Sequence, residues 1–489
     1  MTTEVRDSIA GRFLIARGDS IPADDRVFAL SGGWSIAFGN DLSLIEVRNG
    51  GVLVGWLIGI IVDLEAGTML EEALVLDVAR STEAEWQAIC VRCAGSWLYI
   101  VLDGDELEFR PDSCATLGLV YEPETGRAAA YAYQLVGASY DARLNQAERE
   151  VNGVNGDGWF TGGLTAHHGV FRLLPNHAVS TRDFAMRRLP LVLPAYDDEV
   201  NSTVDAIALE IDRVVSAVTR QRPTEMGLTG GNETRALLAA VRRQLANLRF
   251  VTIGFETSAL DVHLSQRLAS RFGFRHDVLA QKRADEAAQA VWTLGAGHAM
   301  AGNNKDFWPS LEPLAGHFMI GGLGGEVGRG FLWPQDLAAG DDVSPEFILG
   351  RLKQPLSPAN LEAVTQWRNA LPDDLDAFQI LDLAYLELRM GPWAFAQPRM
   401  AKVPRSIHPL ISYNQFARMW SIPPAMRKAD RMIRILIERN WPELLEVPIN
   451  KYGDWRDAWQ KASKAVRRPD KFVRKMRQVL SSQNKSGAA

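Results

Sequence analysis

The sequence predicts an α/β protein in two halves, and three observations carry that expectation. Up to about residue 190 the chain is a series of short β-rich runs broken by Gly, Asp and Asn. From about residue 200 the period turns helical, and strand-length runs alternate with amphipathic helices in the β-α-β-α-β order of a right-handed parallel sheet. A chain of 489 residues also exceeds what one core usually serves. The expected division is 1–190 and 200–460, with a basic tail at 461–489.

In the first half, "FALSGGWSIAFG", "LSLIEVRN", "WLYIVLDGDELEFRPD" and "RAAAYAYQLV" alternate or cluster apolar residues over strand lengths. "LDGDEL" supplies hairpin turn chemistry. The run "GVLVGWLIGIIVDL" from Gly51 is too short to span a bilayer and reads as a buried strand.

In the second half, "VNSTVDAIALEIDRVVSAVTRQ" sets Val204, Ile207, Leu209, Ile211 and Val214 in an amphipathic helix that Pro223 ends. Strand "EMGL" follows, then a glycine loop and a helix with Leu237, Val241 and Leu245 four apart. Strand "LRFVTIG" leads to helix "LDVHLSQRLASRFG", which carries Leu260, Leu264, Leu268 and Phe272 at the same step, and to strand "HDVLA". A later apolar run, "GHFMIGGLGGE", again ends in glycines. Beyond Pro355 the pattern is mostly helical to the end.

Composition narrows the function classes. At 47% hydrophobic and 23% charged the chain is an ordinary globular one. A net charge of −6 argues against wholesale binding of nucleic acid or anionic membrane, so neither partner is expected. The opening "MTTEVRDSIAGRFLIARGD" lacks an apolar signal core, and three cysteines fit a reducing compartment; the expected location is cytoplasmic. Cys90 and Cys93 form "CVRC", but with no second pair or nearby His they read as buried thiols rather than a zinc or redox site. The tail carries nine Lys or Arg and one Asp, which fits a solvated terminal helix or electrostatic capture of an acidic partner.

The chemistry-bearing stretch is "MGLTGGNETR", residues 226–235. Glycines at a strand-to-helix turn let backbone N–H groups converge on one point, and the helix dipole adds positive potential there. The loop reads equally well as an ordinary turn: Asn232 is a favoured N-cap, and Glu233 suits the first helical turn. It is not a Walker loop, since GxxxxGK[ST] and its lysine are absent, and it is not GxGxxG.

Thr229, Gly230, Gly231, Asn232, Glu233 and Thr234 do resemble the SGGxDS signature of PP-loop ATP pyrophosphatases, with Thr for Ser at both ends and Glu for Asp. "FVTIGFETSALDVHLSQRLASRFGFRHDV" is similar to the next strand and helix of the asparagine synthetase family, and "GGLGGEVGRGF" to its second acidic loop. "YLELRMGPWA", "ISYNQF", "IPPAMRK" and "WPELLEVPINK" follow in that family's order. "WFTGGLTAHHGVFRLLPNHAVSTRDF" resembles the end of its glutaminase-like domain, so the likeness spans most of residues 110–455.

The resemblance implies a degenerate N-terminal Ntn-hydrolase-like αββα sandwich ahead of a PP-loop synthetase domain with a helical C-terminal part. It implies an ATP-dependent, AMP-forming carbon–nitrogen ligase that adenylates a carboxylate, releases pyrophosphate and passes the acyl group to an amine. ATP would lie on Leu228, Thr229, Gly230, Gly231, Asn232, Thr234, Ile253, Gly254, Gly322 and Gly324. Mg²⁺ would lie on Glu233 and Glu326. Arg389 would meet a phosphate or a carboxylate substrate, or serve as half of a buried ion pair.

Two departures qualify that picture. The family's catalytic lysine falls near Asp430 here, so Lys428 or Lys451 would have to serve. The family's catalytic Cys at position 2 is replaced by Thr2. The N-terminal half is then expected to be a scaffold without glutaminase activity. That arrangement suits relatives that close rings, such as β-lactam synthetases and lasso-peptide cyclases in natural-product biosynthesis. The partners implied are a small-molecule or peptide carboxylate and an amine, with room for a homodimer or a biosynthetic partner protein. Two other readings stand beside this one: a tRNA-modifying PP-loop enzyme, and a catalytically altered nucleotide- or peptide-binding relative.

Overall fold

The computed structural model describes residue 5 and residues 7–18, 25–154, 156–297, 302–396 and 399–457. Thr2 and the tail at 461–489 lie outside the described residues. Among those described, no helix is long and apolar enough to cross a membrane.

The first half forms two sheets. The six-stranded one runs, edge to edge, Phe171–Arg172, Val120–Glu122, Arg127–Ala129, Phe13–Arg17, Trp34–Phe38 and Arg26–Ala29. The eight-stranded one centres on Val52–Asp63 paired antiparallel with Cys93–Asp103. Their inner faces share a core of Phe13, Ile15, Ile36, Trp56, Ile58, Ile60, Leu98 and Ile100. On the far side of the larger sheet, Leu57, Ile61, Trp97 and Tyr99 pack with Trp86 and Ile89 of helix Thr82–Arg92. On the far side of the smaller one, Leu14, Val120 and Ala129 pack with Ala132 and Leu135 of helix Ala132–Val136. The layers are therefore helix, sheet, sheet, helix.

This layering explains the apolar run from Gly51. Strand Val52–Asp63 is covered on both faces, so apolar residues serve at successive positions instead of alternating with polar ones. "RAAAYAYQLV" is strand only over Arg127–Ala129 and then turns into helix Ala132–Val136. Tyr131 ends the extended run: its hydroxyl donates to the Ala10 carbonyl, and its N–H donates to the Gln134 side chain at 3.2 Å.

The second half forms a five-stranded, all-parallel sheet. Its strands are β1 (Thr224–Gly227), β2 (Leu248–Gly254), β3 (His276–Ala280), β4 (Phe318–Ile320) and β5 (Arg405–Ile407). Their spatial order is β3-β2-β1-β4-β5. Helices α1 (Val200–Thr219), α2 (Asn232–Ala240) and α3 (Ala259–Phe272) precede β1, join β1 to β2 and join β2 to β3.

Two details differ from the sequence expectation. Leu209 is 52% exposed while Val204, Ile207, Ile211 and Val214 are buried. The buried stripe steps by three and four, and Leu209 falls off it. β5 was not anticipated, because three residues in an otherwise helical region carry no readable period. Its pairing with β4, Phe318 opposite Arg405, is a tertiary event.

Candidate functional site at the switch point of the parallel sheet

In this strand order the chain leaves β1 toward one edge of the sheet and leaves β4 toward the other. The crevice beyond the C-terminal ends of β1 and β4 is where open α/β sheets bind ligands. Both glycine loops empty into it: "TGGNE" after β1 and "GGLGGE" after β4.

The first loop is rooted in the sheet. The N–H of the fully buried Leu228 donates to the Val251 carbonyl at 2.8 Å, and the Thr252 hydroxyl donates back to the Leu228 carbonyl at 2.6 Å. The hydroxyls of Thr229 and Thr234 lie 2.8 Å apart and close the turn across its mouth. At Gly230 a Cβ would sit 2.3 Å from the Leu264 Cδ1 of α3, so this position is glycine for packing.

Two expectations about the loop are corrected. Asn232 is not the N-cap; Gly231 is, in extended conformation and with no side-chain cap bond. Asn232 is instead the first helical residue, and its side-chain amide donates to Asp430 at 2.8 Å. The Gly230 N–H does not point into open space either, since it donates to the Asp261 carboxylate at 2.9 Å. What remains for an anion is the uncapped first turn of α2, whose N–H groups have no helical partner.

The second loop packs directly onto the first. A Cβ on Gly322 would lie 2.9 Å from the Glu233 Cβ, and one on Gly325 would lie 3.1 Å from its Cγ. Gly324 has a φ of +103°, a left-handed region open to glycine, where its N–H donates to the Glu326 carboxylate at 3.2 Å. Burial first, and the negative charge of Glu233 as well, push the Glu326 carboxyl above its ordinary range. The two acids expected to share a metal are thus close enough to feel each other. Glu233 meets Arg329 at 3.0 Å rather than facing an open cleft.

The candidate lysines separate. Lys428 is exposed, and its ammonium donates to the Leu337 carbonyl at 2.8 Å and the Gln335 carbonyl at 3.3 Å, over the Phe378 ring. Lys451 is also exposed but follows Asn450, whose N–H donates to the Gly230 carbonyl at 3.0 Å. Lys451 therefore stands beside the glycine loop. Ile253 and Gly254 end β2 next to β1, in line with the same crevice.

Arg389 is in none of the ion pairs among the described residues. Its guanidinium lies over the rings of Trp159, Phe331 and Trp393, at 5.1, 5.4 and 5.7 Å.

Sequence reading missed Arg235. Fully buried in α2, it donates to the carbonyls of Leu444, Val447 and Pro448 at 2.7, 2.5 and 2.7 Å. Burial pulls its guanidinium down to about 10. These bonds staple the chain leading to Asn450 and Lys451 onto the glycine-loop helix. A charged residue inside the apolar run "ETRALLAA" was the available signal.

The donor set fits a polyphosphate at the uncapped α2 terminus beside Arg329. It also fits Mg²⁺, which is ordinarily held by one or two carboxylates with phosphate and water completing its shell. No group of three or more His, Cys, Asp or Glu residues suited to a metal occurs among the described residues. Cys90 and Cys93 are buried free thiols, as is Cys114.

No protein-family model matches the chain, and no curated protein matches it. Among solved structures, the glutamine phosphoribosylpyrophosphate amidotransferase from B. subtilis, complexed with ADP and GMP, is similar over 77% of this chain and 90% of its own. The identity is 10% and the TM-score 0.21, a likeness that carries no argument about function.

Proposed function

We propose that the chain is an ATP-dependent amide-bond-forming ligase, which adenylates a carboxylate, releases pyrophosphate and transfers the acyl group to an amine. One observation carries the reading. Two glycine loops meet at the switch point of a parallel sheet, and each brings a glutamate, Glu233 and Glu326, to the meeting. The stretch that resembles SGGxDS and the stretch similar to the family's second acidic loop are these same two loops.

In this reading the first-turn N–H groups of α2 and the Arg329 guanidinium receive the polyphosphate and later the leaving pyrophosphate. Glu233 and Glu326 would hold Mg²⁺, which when bound neutralises charge developing on the phosphates. Lys451 stands at the loop to stabilise the same charge. In this reading the amine is not released from glutamine in place: Thr2 stands where the family has its nucleophilic cysteine, and the three cysteines of the chain are buried. An amine of the substrate itself, giving a lactam or macrolactam, or a separate amine is used instead.

A second reading, a nucleotide-binding relative without turnover, is favoured by two bonds. Asp261 occupies the Gly230 N–H, and Arg329 occupies Glu233. The full-length protein with Mg-ATP and a panel of carboxylic acids separates the two. Acid-dependent pyrophosphate release supports the ligase. Binding of Mg-AMPCPP by calorimetry with no pyrophosphate from any acid supports the second, and no binding at all removes both.

A further inference from the structure

We propose that Arg389 anchors a carboxylate subsite for an acid bearing a flat apolar group, with Phe331 as the surface on which that group lies. The proposal deepens the ligase reading and rests on it for the fate of the acid.

A guanidinium is always charged, and taking it out of water is costly unless something compensates. Arg389 is half-buried, yet no carboxylate among the described residues pairs with it. Its compensation is aromatic: Trp159, Phe331 and Trp393 surround it. Ring faces stabilise a cation but leave its N–H fork without acceptors. A planar carboxylate supplies two acceptors in matching geometry.

The surroundings connect this fork to the two acids. Arg329 lies over the same Phe331 ring, 5.5 Å from its centroid, but is engaged with Glu233. Phe331 thus lies between a guanidinium paired with Glu233 and one that has no ion pair among the described residues, and its ring is 42% exposed. Tyr385 packs on Phe331 at 5.1 Å, and its hydroxyl feels the charges of Glu326, Arg389 and Arg329 together.

The backbone adds a structural marker. Ala384–Met390 is π-helical and carries both Tyr385 and Arg389, and such wide turns inside helices recur at functional sites. Trp159 is fixed to that segment by its indole N–H, which donates to the Leu388 carbonyl at 2.8 Å. A phosphate could also satisfy the fork, but the uncapped α2 terminus already offers polyphosphate a place. An aromatic wall favours a flat organic acid.

The test is ligand-observed NMR and calorimetry on the full chain with benzoate, acetate, benzamide and inorganic pyrophosphate. Wild-type protein is expected to bind benzoate at least about tenfold more tightly than benzamide or acetate. Arg389→Gln is expected to lose benzoate by tenfold or more while keeping pyrophosphate. Phe331→Leu, a change at an exposed ring, should weaken benzoate toward acetate without altering acetate. Benzoate binding no better than benzamide, or unchanged in Arg389→Gln, overturns the subsite, as does benzoate binding unaffected by Phe331→Leu. Loss of pyrophosphate instead of benzoate assigns Arg389 to the nucleotide and overturns it equally. Mg-AMPCPP titrated into the same samples reports on the ligase reading separately: its failure with wild type removes that reading and leaves the benzoate result intact.

Discussion

Arg329 of the second glycine loop lies 3.0 Å from Glu233 of the first, so the two loops are tied by a charge pair across the crevice they form. Both side chains are partly exposed, and such a pair contributes up to about 1 kcal/mol. Arg329 therefore competes with any cation for Glu233. In Arg329→Gln the Mg²⁺ concentration that half-saturates the nucleotide-free protein should fall by about fivefold, the ratio ~1 kcal/mol represents, while Mg-AMPCPP, deprived of a phosphate partner, should bind more weakly. In Glu233→Ala pyrophosphate release should vanish. Turnover unchanged in Glu233→Ala would remove that residue from the site.

Lys428 and Lys451 are expected to behave differently. Lys428 is engaged with the Leu337 and Gln335 carbonyls, so Lys428→Ala should leave turnover within about twofold and lower the melting temperature slightly. Lys451→Ala should cut turnover by about a hundredfold or more, as loss of a transition-state charge donor does. The reverse pattern would assign the proposed role of Lys451 to Lys428 instead.

Arg235 makes its prediction through packing. Arg235→Ala leaves three carbonyls between Leu444 and Pro448 without their donor, at a cost of about 3 kcal/mol or more. Protease sensitivity should appear in the 444–451 segment ahead of global unfolding. Arg235→Lys should restore little, because one ammonium cannot span the three acceptors.

Gly322 tests the contact between the loops. An added methyl would press on the Glu233 Cβ. Gly322→Ala should cost about 1–3 kcal/mol, the usual range for overpacking, and reduce turnover more than it reduces the melting temperature. Turnover retained in Gly322→Ala would mean that Glu233 can shift without consequence.

Stability should be acid-sensitive through histidine. Burial pulls His408, which abuts Gly321 after β4, down to about 4, and His167 likewise to about 4. Free imidazole titrates near pH 6.5, so on acidification the unfolded chain takes up these protons first. The stability they contribute is complete above about pH 6.5 and is lost as pH falls toward 4. The melting temperature should drop between pH 7 and pH 5, and less steeply in His408→Gln. An identical slope in that variant would assign the effect to other groups.

Much of the fold was legible because its periods are long. The alternation of strands and helices from residue 200 emerged with β1, β2 and β3 close to where the sequence suggests, since each buries one repeating face. The turn from Ala129 into helix was not legible, because Tyr131 and Gln134 make it through specific hydrogen bonds. Nor was the cap of α2: Asn232 has the chemistry of an N-cap, but Asp430, distant in sequence, takes its amide and Gly231 becomes the cap.

The sequence by itself determined the α/β class, the two glycine-rich turns and the acids within them, because local backbone chemistry and apolar spacing are written residue by residue. Only the tertiary structure decided what those residues do to one another. It set β4 beside β1, brought Arg329 onto Glu233 and Asp261 onto Gly230, held Lys451 at the loop through Asn450, and set Arg389 over three aromatic rings. Those partners are remote in the chain, and the free energy that joins them comes from burying a shared core, which no local pattern encodes.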